Sequence, residues 1–63
     1  MSIIEFNKLA QKEQLEITWA QGILEGHHGY GEHYYLLYQL YDFFVEVEFA
    51  KSTDEILSVK CFR

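Results

Sequence analysis

Residues His33–Phe49 read HYYLLYQLYDFFVEVEF, a run of rings and aliphatics that alternates with polar side chains towards its end. The run is too long for one ordinary strand, and Tyr41-Asp42 is its only turn-like dipeptide. Folding it back with Tyr41 and Asp42 as a two-residue turn sets Leu40 opposite Phe43, Tyr38 opposite Val45, Leu36 opposite Val47 and Tyr34 opposite Phe49. Every pair on that side is apolar or aromatic. The other side pairs Gln39 with Phe44, Leu37 with Glu46 and Tyr35 with Glu48. A slip of one residue would set Glu46 and Glu48 against the apolar row, so the pattern specifies its own register. Asp42 would sit more easily in this turn were it glycine.

The neighbouring segments extend this hairpin on both sides. AKSTDE is the next turn and EILSVKCF the last strand, with Leu57, Val59 and Cys61 expected beside Phe49, Val47 and Val45. That register requires an odd-numbered loop centred on Thr53. On the other side GILEGHH reads as a short first strand, and GYGE as a flexible loop in which Gly29 and Gly31 permit positive φ. The strands are predicted at about 23–28, 33–41, 43–50 and 55–62.

Residues 2–21 are predicted helical. Ser2 with Glu5 three positions on is a capping box, and Lys8–Gln21 is rich in good helix formers. Asn7 offers a second N-cap, which predicts a break near residues 7–10. Lys12, Glu13 and Glu16 share one side, while Ala10, Leu15, Ile17, Thr18 and Trp19 fall on the other, with Trp19 as the anchor against the sheet. Gly22 stands where a left-handed C-cap is expected. The fold class is therefore α+β: an N-terminal helix on one face of a four-stranded antiparallel β-meander, forming a single domain over 1–63.

Composition narrows the function. A chain of 63 residues with 49% hydrophobic and 24% charged side chains is globular but has only a small core. Cys61 is the only cysteine, so no internal disulfide can reinforce that core, and an unpaired thiol suits a cytoplasmic setting. Five Lys and Arg against ten Asp and Glu give a net charge of -5, which disfavours nucleic acid and anionic membranes as partners. No apolar run approaches the roughly 20 residues of a membrane span. The N-terminal MSIIEFNKL lacks the basic head and long apolar stretch of a secretory signal.

With the helix on the Leu36/Tyr38/Val45/Val47/Val59 side, the opposite face carries Tyr35, Leu37, Gln39, Tyr41, Phe44, Glu46, Glu48, Ile56, Ser58, Lys60 and Phe62. A solvated sheet face is mostly polar, whereas this one mixes rings with carboxylates. Protein association is the leading reading, with a homodimer foremost because it also relieves the small core. Tyr35, Leu37, Tyr41, Phe44 and Phe62 supply apolar contact, and Glu46, Glu48 and Lys60 fix orientation. Aromatic pairs that merely stiffen a thin sheet, and a groove for a small apolar ligand, are the competing readings.

Other chemistry is sparse. His27, His28 and His33 lie in EGHHGYGEH near Glu25 and Glu32, a set from which Zn²⁺ or Ni²⁺ ligands could be drawn. The spacing matches no metal motif, so a polar loop is the better reading and no cofactor is assigned. Glu46 and Glu48 share a strand face at a separation seen in glycosidases, but a flat surface implies no cleft. No Ser/His/Asp arrangement or phosphate loop is present, and Cys61 reads as a core residue, so no catalytic residue is named.

IIEFNKL, KEQLEITWAQG, LLYQLYDFFVEVEF and EILSVKCF together resemble a set of short bacterial hypothetical proteins, common in the Bacteroidetes, with no assigned activity. The resemblance spans nearly the whole chain and implies an intact domain of the same architecture. Its motifs are structural: a helix start, a Trp before a helix-ending Gly, and a VEV strand. The Tyr-Asp turn and the HHGYGEH loop depart from it. A role as an accessory or inhibitory protein for a larger bacterial or phage complex also fits the size and acidity.

Overall fold

Ser2 starts the chain's first helix as the sequence requires. Its Oγ accepts from the Glu5 N–H at 3.1 Å, while the Glu5 carboxylate accepts from the Ser2 N–H at 2.9 Å. The computed structural model describes residues 1–63. Helix α1 (Ile3–Asn7) is followed by a break and helix α2 (Gln11–Gln21). Four strands follow, β1 (Ile23–Tyr30), β2 (His33–Leu40), β3 (Phe43–Ala50) and β4 (Ile56–Phe62), in one antiparallel sheet of order β1-β2-β3-β4.

The β2–β3 register is the one the hydrophobic pattern demands. Leu40 pairs with Phe43, Tyr38 with Val45, Leu36 with Val47 and Tyr34 with Phe49. Along β3 burial alternates without a fault. Phe43, Val45, Val47 and Phe49 are buried, and Phe44, Glu46, Glu48 and Ala50 are only partly so. Phe6 and Leu40 complete the core, and Leu9, Leu15, Ile17, Ile56, Val59 and Cys61 pack around it. Phe6 from α1 is fully buried with its ring 5.4 Å from that of Phe43. The i,i+3 spacing of Ile3 and Phe6 in a capped turn turns both towards the sheet.

Several details differ from expectation. Trp19 is 47% exposed and meets the edge of the Tyr38 ring at 5.4 Å, so it flanks the core and Phe6 anchors it. Thr18 is the fully buried residue of α2, its hydroxyl donating to the Gln14 carbonyl at 2.8 Å. The second helix is capped at Ala10, whose N–H donates to Glu13 at 3.4 Å. Asn7 is not the cap: its Oδ1 accepts from Cys61 Sγ at 3.0 Å and ties α1 to β4. Gly22 has φ −73°, so left-handed geometry is not its reason. A Cβ there would stand 2.6 Å from the Thr18 carbonyl oxygen and 3.2 Å from the Tyr38 ring, and close approach is what demands glycine.

The turns show corrections of the same kind. The β3–β4 loop has the predicted centre at Thr53, with Val45 opposite Cys61 and Val47 opposite Val59. A bulge then intervenes, and Phe49 pairs with Ile56 in place of Leu57. Leu57 becomes the extra residue and is 41% exposed, while Ile56 leaves the outer face and joins the core. β1 runs on to Tyr30 and closes on β2 through Gly31 and Glu32 alone. Gly31 has φ 61°, whereas Gly29 lies within the strand and is not needed for positive φ. In the Tyr41-Asp42 turn the left-handed residue is Tyr41, with φ 57°. Its hydroxyl donates to Gln21 Oε1 and its ring stands 6.3 Å from Phe43, contacts that hold a conformation costly for a ring residue.

Truncating Phe6→Ala is expected to cost about 3–5 kcal/mol, most of the stability of a domain this small, whereas Trp19→Ala leaves a cooperative denaturant transition. In the same assay Gly31→Ala, which meets no atom within 4 Å but must hold φ 61°, is expected to cost about 1 kcal/mol.

Candidate functional site: the open face of the sheet

Both helices pack on one side of the sheet, α1 against β4 and α2 against β2 and β4. The other side is left uncovered, and its rows follow from the register. Tyr35 stands opposite Glu48, which stands opposite Ser58. Leu37 stands opposite Glu46, and Glu46 opposite Lys60. Gln39 stands opposite Phe44, and Phe44 opposite Phe62. The fold thus brings Tyr35, Leu37, Phe44, Glu46, Glu48, Lys60 and Phe62 together on one surface. Tyr41 does not belong with them, because its bond to Gln21 at the α2 end and its approach to Phe43 put it on the helical side.

The face is divided chemically. At one end Phe44 and Phe62 stack with centroids 5.9 Å apart, Phe62 42% exposed, with exposed Ile23 beyond Gln39 on β1. At the other end three donors converge on the Glu48 carboxylate. Ser58 Oγ donates to its Oε1 at 2.8 Å, Tyr35 Oη donates to its Oε2 at 3.1 Å, and His33 Nδ1 stands 2.7 Å from Oε2. His28 stacks on the Tyr35 ring at 4.7 Å and 18°.

These bonds hold the Glu48 carboxyl below the usual carboxylate range, the Ser58 hydroxyl contributing most, with burial opposing and Tyr35 and His33 assisting. The Tyr35 phenol is pushed up by burial and by its bond to that anion. Ser58 and His33 address the same carboxylate, so the imidazole does not face the serine hydroxyl and the Ser–His–carboxylate order of an activated nucleophile is not formed. Glu46 stands beside this cluster outside it, and no pocket indents the surface between the two carboxylates. Cys61, on the other side, has its thiol pushed up by burial.

The three histidines do not converge. His27 pairs with Leu36 and lies on the helical side, while His28 and His33 pair with Tyr35 and Tyr30 on the open side. No three His, Cys, Asp or Glu side chains are grouped to hold a metal ion. The His28 stack on Tyr35 and the His33 contact with Glu48 are not anticipated from the sequence. Treating Gly31-Glu32 as a two-residue turn, in place of a loose loop, places His28 opposite Tyr35 directly.

No family model, curated protein or solved structure matches the chain. No helix is long and apolar enough to cross a membrane.

The depressed Glu48 carboxyl sets a pH dependence. A group whose folded value lies below its unfolded value of 4.5 stabilises the fold above that value and loses the effect as pH falls through the folded one. Thermal melts from neutral to acid pH are therefore expected to show Glu48→Gln less stable than the parent at neutral pH, with the gap closing below pH 4.5. A gap constant with pH would show that the bonds to Glu48 do not discriminate its charge state.

Proposed function

We propose that this chain is a non-enzymatic protein-interaction module of the bacterial cytoplasm that associates with a second copy through the open face. The observation that carries the reading is the uncovered Phe44–Phe62 stack with Leu37 and Tyr35 beside it, on a sheet whose other face already has its helices. Rings of this kind in a contiguous patch contribute most of the energy at protein contacts. Glu46 and Lys60, directly opposite each other without an ion pair between them, supply charges of both signs for orienting a second copy. The net charge of -5 argues against a nucleic-acid partner.

The size of the face sets the strength of the contact. Four strands about 4.8 Å apart and about 7 residues long give a footprint of roughly 450 Å². A standard interface buries about 800 Å² on each partner, so this one belongs at the weak end and is expected to form at micromolar concentration.

Sedimentation at tens of micromolar is expected to give about twice the 7.5 kDa chain mass, falling to the monomer in Phe62→Glu. Phe62 is an exposed edge-strand residue, so that variant keeps the core intact. A parent that sediments as a monomer, or a Phe62→Glu variant with the parent's mass, would remove the face-to-face contact.

A further inference from the structure

The two outer edges of the sheet are unlike. β4 carries a bulge at Leu57, takes contacts from both helices and is tied to Asn7 through Cys61. β1 packs against β2, and every residue along its eight except Gly26 is exposed. It holds no proline and no lysine, the usual guards of a free edge, and its one irregularity is a bulge at Glu25. Residues Gly26–Tyr30, GHHGY, form a regular edge of neither carboxylate nor ammonium in a chain of net charge -5.

The backbone of this edge points outward at defined residues. Tyr30 and His33 flank a two-residue turn, and such flanking residues exchange both backbone hydrogen bonds. Alternation then turns the N–H and C=O groups of Gly29 and His27 away from β2.

We infer that β1 pairs antiparallel with β1 of a second copy about a two-fold axis at His28, joining the two sheets edge to edge. In this register His27 and Gly29 of each copy exchange the backbone bonds that the monomer leaves unmade. Side chains match as well. Tyr30 lies over Gly26 of the second copy on the open face, and His27 lies over Gly29 of the second copy on the helical face. Tyr30 thus fills the open space over Gly26, a pairing that compensates the weak intrinsic packing of glycine in strands, while His27 meets the Lys51 side chain that already lies over Gly29.

Charge agrees with shape. Lys51 Nζ lies 3.2 Å from where a Gly29 Cβ would stand, and neither Lys51 nor Glu25 has an ion-pair partner within the chain. The same register sets Glu25 opposite Gly31 of the second copy, within side-chain reach of that copy's ammonium, and the axis repeats the pair. This contact uses the edge and does not depend on the open face.

Sedimentation and amide exchange across a concentration series separate the two. Exchange at His27 and Gly29 is expected to slow about tenfold as concentration rises to the millimolar range. His27→Pro removes an outward N–H without touching the β1–β2 ladder and is expected to abolish that protection at Gly29 and lower the sedimenting mass. Glu25→Lys is expected to weaken the association several-fold, and adding Lys51→Glu to restore it, a reversal that misfolding would not produce. Phe62→Glu is expected to leave the edge protection in place even where it removes the face-to-face contact. Exchange at His27 and Gly29 that is independent of concentration, or a charge swap that fails to restore Glu25→Lys, would overturn the edge contact whatever Phe62→Glu does.

Discussion

A shift of β3 by a single residue would carry Glu46 and Glu48 into the space now filled by Val45 and Val47, and the residues that line that core carry no positive charge to receive them. Two unpaired carboxylates in a core this small would cost more than the fold has to spare. That prohibition fixes the pairing of β2 with β3, and the rest of the molecule follows from it. Phe43 and Phe49 come to lie under the helices, Phe6 closes over Phe43, and Tyr34 stacks on Phe49 at 4.7 Å while its hydroxyl donates to Asp54 at the far turn.

The same alternation creates the surface that has work left to do. Moving one set of side chains under the helices leaves Phe44, Leu37 and Tyr35 on the side that has no cover. Glu48 prevents that side from being uniformly apolar. Its carboxylate is bound by Ser58, Tyr35 and His33, an arrangement that rigidifies one end of the face and leaves the stacked rings at the other. A rigid polar end beside an exposed apolar one gives the face a direction, the asymmetry that the proposed association would use.

How much of this was legible in the sequence depended on the kind of signal. The β2–β3 pairing, the capped start of the first helix and the Thr53-centred loop were readable, because period-two burial and a capping box act on neighbouring residues. The helix break falls where expected, although Ala10 and not Asn7 caps α2. Phe6 was overlooked because a five-residue helix gives too short a periodic pattern to reveal its buried face. Leu57 and Ile56 exchanged sides because a bulge adds a residue without altering composition. Trp19 was over-weighted by size alone: hydrophobicity favours its burial, but α2 turns Thr18 inward, with Leu15 and Ile17 against the core. The end of β1 was not legible, because the glycines of GYGE signal a flexible loop where β2 holds the strand in register to Tyr30 and Gly31-Glu32 alone make the turn.

Proton–proton contacts measured by nuclear magnetic resonance on the monomeric protein at low concentration test the sorting of side chains most directly. The Phe6 ring is expected to show close contacts with Phe43 and Val45, and the Phe44 ring with Phe62 and none with either helix. Contacts from Phe44, Leu37 or Tyr35 to Phe6 or Leu15 would show the sheet turned over, and the account of its open face would fall with it.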